Sequence, residues 1–174
     1  MMRILPKLRN RLADYDGRAV TLLGETEAAF GAESGYLDAL ITLASEAQGH
    51  IASGATWLLK SALEQGRSLS GQQVAALSAE LHGGLSGDAA WDVQLHICQC
   101  VQYLTIPTGS AAEFAVWLEP LLGHRRPFLR AWSLDALFRL SQQHSAYRSD
   151  FDAALAVAEQ DEAASVRARA RKLV

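Results

Sequence analysis

The sequence predicts an all-α protein: an α–α superhelix of four to five antiparallel helix pairs. Apolar residues recur at helical spacing along most of the 174 residues, with almost no strict alternation. Four apolar stripes begin at Ile51, Val93, Leu129 and Val166, which are 42, 36 and 37 residues apart. A helix pair that recurs at this period indicates an α-solenoid, because two short amphipathic helices bury their apolar faces only by stacking on neighbouring pairs.

Each stripe predicts the buried face of the second helix in a pair. A shorter helical segment precedes each stripe, at roughly 36–46, 71–82, 111–122 and 147–160. The breaks are expected at Gly66, Gly83, Gly84, Gly87, residues 105–110 and Gly123. We expect one domain over 1–174, with 1–34 as an atypical N-terminal capping region and 35–174 as repeats. The residues predicted to be buried are Ile51, Ala55, Leu58, Leu59, Ala62 and Leu63, then Val93, Ile97, Cys100, Val101 and Leu104, then Leu129, Ser133, Ala136, Leu137 and Leu140, then Val166, Ala170, Leu173 and Val174.

Composition and charge narrow the class of protein. Hydrophobic residues make up 49% of the chain and charged residues 20%, which is typical of a folded soluble domain. Residues 21–123 carry two basic and eleven acidic groups, whereas residues 124–174 carry nine basic and six acidic groups. The acidic middle opposes nucleic-acid binding. The basic N-terminus lacks an apolar stretch after its charges, and no membrane span is expected. We therefore expect a cytoplasmic protein.

One segment carries a family signature. A first helix ends in Leu-Glu-Pro-Leu-Leu at 118–122, a short turn follows, and Pro127-Phe-Leu-Arg130 opens the second helix. The segment that begins at Asp161 repeats the second half, which places Arg130 and Arg167 at equivalent positions. This pattern resembles a HEAT repeat, most clearly over residues 111–174. The resemblance implies a helical superhelix in which each arginine bonds to an acidic residue of its own preceding turn. The residue at this acidic position is His124 before Arg130 and Asp161 before Arg167.

No arrangement of catalytic or cofactor-binding residues is evident. The five histidines are scattered, and the nucleophile and phosphate-binding motifs are absent. His96 and Cys100 are four residues apart, but no second ligand pair has a fitting spacing for zinc. Cys98 and Cys100 point to different sides of a helix and cannot readily pair with each other. We expect no enzyme activity, no metal and no cofactor.

The helix predicted over 128–140 is apolar on nearly all sides, which indicates either complete coverage or an exposed docking surface. Leu134 and Phe138 lie off the core stripe, and the neighbouring second helix adds uncharged polar groups. We expect a concave surface that binds an unidentified protein or peptide. Packing of the same apolar residues beneath adjacent helices is the competing interpretation. The residues of the predicted surface are Gln94, Gln99, Trp132, Leu134, Asp135, Phe138 and Arg139.

Two other functions remain open at this stage. The chain could be a nucleic-acid-binding or DNA-glycosylase-like HEAT module that uses the basic C-terminal third, with Trp132, Asp135 and Arg139 on one helix. The charge of residues 21–123 weighs against that interpretation, so we do not expect nucleic acid as a partner. The apolar surface of 128–140 could also join two copies of the chain as a homodimer.

Overall fold

The structure is a computed structural model that describes residues 3–81 and 91–174, and within these ranges the chain is all-helical, with no β-strand. The all-α prediction is therefore confirmed. The helices are α1 (Ile4–Ala13), α2 (Val20–Phe30), α3 (Tyr36–Leu43), α4 (Ile51–Glu64), α5 (Gly71–Leu81), α6 (Trp91–Cys100), α7 (Thr108–Leu122), α8 (Pro127–Gln143), α9 (Arg148–Glu159) and α10 (Ala164–Ala170). Short 3₁₀ turns follow α6 at Val101–Tyr103 and precede α9 at Ser145–Tyr147.

Helices two apart in the chain pack against each other in succession. The odd-numbered helices contact one another in the order α1, α3, α5 and α7. The even-numbered helices do the same in the order α2, α4, α6, α8 and α10. Helix α9 departs from this pattern, because its main contacts are with α8 and α10. Space is consequently left between α7 and α9.

One hydrophobic core extends through the described residues, from Ile4 to Leu173. Every residue of the four predicted stripes is buried except Val174, which is 81% exposed. That prediction is wrong because α10 ends at Ala170, so Val174 no longer follows the helical face. A close approach at Gly54 brings the first two helices onto α4. A Cβ atom at Gly54 would lie 3.0 Å from Leu12 Cδ2, so a larger side chain would push α1 away.

The predicted breaks agree with the structure in part. Gly66 has a φ of +91°, which glycine adopts without strain, and it follows the end of α4. Helix α7 begins at Thr108, so the break expected at 105–110 is shorter than predicted. Pro107 explains the early start, because its fixed φ suits the residue just before a helix. The breaks expected at Gly83, Gly84 and Gly87 lie outside the described residues.

A polar seam runs between α4 and α6. The Ser53 hydroxyl donates to Asp92 Oδ2 at 2.5 Å, and Thr56 Oγ1 lies 3.1 Å from His96 Nδ1. Burial lowers the pKa of the His96 imidazole to about 4, so the ring is neutral near neutral pH. The two cysteines of α6 are free and buried, and burial raises the pKa of both thiols. They pack as small apolar groups.

Arg130 joins two successive loops. Its Nε and Nη2 atoms donate to the two carboxylate oxygens of Asp161 at 2.7 and 2.8 Å. Its Nη1 donates to the carbonyl oxygens of His124 and Arg125. The loop between α7 and α8 is thereby tied to the loop between α9 and α10. The side chains of the ion pair are only 12% and 11% exposed. We call this arrangement the arginine joint.

Arg167 makes the same main-chain contacts 37 residues later. Its Nη1 donates to the carbonyl oxygens of Asp161 and Glu162, which precede it by six and five residues as in the arginine joint. The implied pairing within one turn is therefore wrong. Each arginine binds main-chain oxygens of its own turn, and Arg130 takes its carboxylate from the next helix pair, because a guanidinium offers separate edges for the two tasks.

Removing the arginine joint should destabilise the fold. We expect Arg130→Ala to lower the free energy of unfolding by about 1–2 kcal/mol, because Asp161 then keeps a largely buried carboxylate without its cation. The matched control is Arg148→Ala, which removes an exposed i, i+4 pair with Asp152 and should change stability by no more than about 0.5 kcal/mol. Urea denaturation measures both. Equal effects of the two substitutions would contradict a structural role for the joint.

His96 should make stability depend on pH. Its pKa is lower in the folded state than in the unfolded chain, where it is about 6.5, so the unfolded chain takes up the proton first. Stability should fall as the pH drops from about 6.5 and level off near 4, by about 1–3 kcal/mol in total. Denaturation of the wild type and of His96→Gln across this range isolates the effect from that of the carboxylates. Parallel pH profiles would argue against it.

Candidate functional site

The seven residues predicted to form one exposed surface do not share one. Gln94, Leu134 and Asp135 are buried, with exposed fractions of 2%, 1% and 2%. The other four are half-buried and belong to different surroundings: Gln99, Trp132, Phe138 and Arg139. The prediction of a single connected docking surface on the second helices is therefore wrong.

Asp135 lies inside the fold because arginines neutralise it. Arg139 Nε lies 3.5 Å from one of its oxygens, and Arg169 Nη1 donates to the other at 3.2 Å. The same Arg169 guanidinium stacks on Trp132, 3.9 Å from the ring centroid. Asp135 and Arg139 form an i, i+4 pair, but the cations are engaged within the fold. A partner would have to displace these contacts to use them.

Leu134 and Phe138 pack beneath adjacent helices, as the competing interpretation expected. The Phe138 ring lies 5.2 Å from the ring of Phe151, centroid to centroid, so it packs beneath α9. Leu134 points toward the space between α7 and α9. Helix α8 is apolar on nearly all sides because α6, α7, α9 and α10 all pack against it.

A groove lies between α7 and α9. Its volume is about 710 Å³, within the range of protein ligand sites. Helix α8 supplies the floor through Leu134 and Leu137, and Leu118 and Val166 complete it. We call it the α7–α9 groove. Its walls are Ala112, Ala115, Val116 and Glu119 from α7, and Asp150, Ala153, Ala154 and Val157 from α9.

The groove exists because small side chains line it. Alanines on both walls leave a gap between α7 and α9 above the buried floor, whereas longer side chains at these positions would fill it. Val116 and Val157 stand at the rims and are 60% and 72% exposed. Few large apolar side chains of the described residues are exposed at all, so two on facing rims mark an apolar surface that water covers unfavourably.

The two walls run in the same direction. Near one end, Tyr147 precedes α9 and Asp150 lies in its first turn, beside the end of α8. There His144 Nε2 lies 2.9 Å from the Ile106 carbonyl oxygen, just before α7. At the other end, Arg130 at the start of α8 binds Asp161 just after α9. The arginine joint therefore closes this end of the groove.

Acidic groups flank the groove at opposite ends. Asp150 lies on α9 near the end where both walls begin, and Glu119 lies on α7 near the end where they finish. Both carboxylates are exposed. The apolar strip is therefore flanked by one negative charge on each wall.

The sequence analysis did not identify the wall residues. Val116 and Val157 lie away from the buried faces of their helices, which include Phe114 and Phe151, and neither belongs to a core stripe. The available signal was a second apolar set on α7 and α9, formed by alanines and these valines. Small residues at helical spacing are equally typical of a solvent-exposed helix face, so the pattern alone did not indicate a groove.

No described helix is long and apolar enough to cross a membrane. No group of three histidine, cysteine, aspartate or glutamate side chains in residues 3–81 and 91–174 is arranged to hold a metal ion. His96 is engaged with Thr56 instead, and Cys100 is fully buried.

Comparison of the chain with protein-family models, with curated proteins and with solved structures finds no match. The chemistry and geometry of the α7–α9 groove therefore carry the functional argument.

Proposed function

We propose that the chain is a HEAT-like α–α superhelix that serves as a non-catalytic interaction module, and that the α7–α9 groove binds an amphipathic helix of a partner protein. The observation that carries this proposal is the apolar groove itself, with exposed Val116 and Val157 on facing rims. It replaces the concave second-helix surface expected from the sequence.

Two features support the superhelical arrangement. Odd and even helices pack in two parallel successions, as stacked helix pairs do. Arg130 and Arg167 make the same main-chain bonds at a separation of 37 residues, so the last two helix pairs share one local geometry. A repeat period in the sequence thus corresponds to a repeat in hydrogen bonding.

A helix is the occupant that fits the groove best. Two parallel helical walls and an apolar floor form a trough in which a third helix places side chains at i, i+4 and i+7. Such a helix packs its apolar face against Val116, Val157 and the wall alanines, above the buried Leu134 and Leu137. Burial of Val116 and Val157 would contribute the usual apolar free energy, about 25 cal/mol per Å².

The carboxylates at the two ends of the groove indicate the charge of the partner helix. Glu119 and Asp150 lie on opposite walls at opposite ends, so a complementary helix carries a basic residue at each end of its apolar face. Rim charges of this kind mainly set orientation and association rate, while the exposed apolar rims supply affinity. The expected partner is therefore a basic amphipathic helix.

A synthetic peptide tests this proposal directly. The probe is a helical peptide as long as α7, 15 residues, with leucines on one face and a lysine at each end of that face. We expect it to bind, and Val157→Glu to weaken binding about tenfold, because the substitution places a charge against the apolar face. The matched control is Val20→Glu on α2, where the valine is 53% exposed and lies outside the groove. Fluorescence anisotropy measures the affinities.

A charge reversal distinguishes specific binding at the groove from non-specific hydrophobic binding of the peptide. A second peptide carries glutamates in place of the two lysines and should bind less tightly to the wild type. The double variant Glu119→Lys, Asp150→Lys should reverse this preference. If the wild type binds neither peptide, or if Val157→Glu and Val20→Glu bind them equally well, the groove is not a helix-binding site.

A further inference from the structure

Arg167 carries half of an arginine joint. Its Nη1 is fixed by two main-chain oxygens, as in Arg130, which orients the rest of the guanidinium. In Arg130 the Nε and Nη2 edge binds both oxygens of Asp161. In Arg167 no carboxylate of the described residues lies within 4.0 Å of that edge. A planar fork of two donors, already oriented, favours bidentate binding of a carboxylate.

The chain itself shows what kind of carboxylate fits this fork. Asp161 accepts the backbone N–H of Ala163 through Oδ1 at 2.8 Å, just before α10 begins. That hydrogen bond holds the carboxylate of Asp161, which lies in the loop before α10, next to Arg130. The ligand of the fork is therefore an aspartate that caps the loop before a helix.

Asp16 has this capping geometry at the other end of the helix stack. Its Oδ1 accepts the backbone N–H groups of Arg18 and Ala19 at 2.9 and 2.8 Å, in the loop before α2. These hydrogen bonds lower the pKa of the carboxyl group, so it is ionised near neutral pH. Asp16 is exposed, and no arginine of the described residues forms an ion pair with it.

We propose that Arg167 of one molecule binds Asp16 of a second copy, so that the α9–α10 end of one stack meets the α1–α2 end of another and repeats the arginine joint between molecules. The two surfaces differ, so the contact is head-to-tail and leads to rings or open chains. Val174 near one end and Val20 near the other are 81% and 53% exposed and add apolar surface. This contact is separate from the α7–α9 groove, which contains neither Arg167 nor Asp16.

Sedimentation equilibrium of the full chain, from micromolar to millimolar concentration, tests the proposal. The wild type should show a mass that increases with concentration. Asp16→Asn should weaken association about tenfold, because the amide keeps the oxygen that accepts the two backbone N–H groups but loses the charge. The matched control is Asp14→Asn, two residues away in the same exposed loop, which should associate like the wild type. Val157→Glu should also leave association unchanged.

Exchanging the charges at positions 16 and 167 provides a second test. Asp16→Arg and Arg167→Asp should each prevent self-association, and an equimolar mixture of the two variants should form a heterodimer. That result also guards against a variant that fails by unfolding, since an unfolded chain would not restore binding. A wild type that stays monomeric at millimolar concentration overturns the proposal. So does association that Asp16→Asn leaves unchanged, or a mixture that stays monomeric.

Discussion

The packing of successive helices against one another is the constraint on which the rest of the described structure depends. The described helices are short, so each buries its apolar face only against its neighbours. The arginine joint fixes the spacing of the last two pairs, because Arg130 holds the carbonyl oxygens of its own loop and the carboxylate of Asp161 at the same time. With the loops tied together at one end, α9 rests on α8 and α10, and its separation from α7 becomes a fixed feature of the surface.

The α7–α9 groove follows from this arrangement and from side-chain size. Alanines on both walls leave a gap above the buried Leu134 and Leu137, and Val116 and Val157 form the exposed apolar rims of this gap. Exposed apolar residues that line a groove are a common feature of docking surfaces. The acidic groups at opposite ends then distinguish a basic helix from an acidic one, which ties the proposed function to two named carboxylates, Glu119 and Asp150.

Much of the fold could be predicted from the sequence, because helical periodicity reports burial directly. The stripes that begin at Ile51 and Val93 are buried throughout. The site could not be predicted in the same way. Leu134 and Phe138 are apolar off the core stripe, and only the positions of α7 and α9 decide whether such residues are covered. Asp135 resembled a surface charge until the structure placed Arg169, 34 residues later, against it. Contacts between distant helices carry no local signal.

Alanine methyl groups offer the most direct measurement of the central claim, that the α7–α9 groove receives a helix. The chain would be labelled at alanine methyls and titrated with the lysine-flanked peptide, and the methyl resonances followed by NMR. The account predicts shifts concentrated at Ala112, Ala115, Ala153 and Ala154, with Ala75 and Ala76 on the exposed side of α5 unchanged. Shifts spread evenly over all alanines, or centred away from these four, would contradict it.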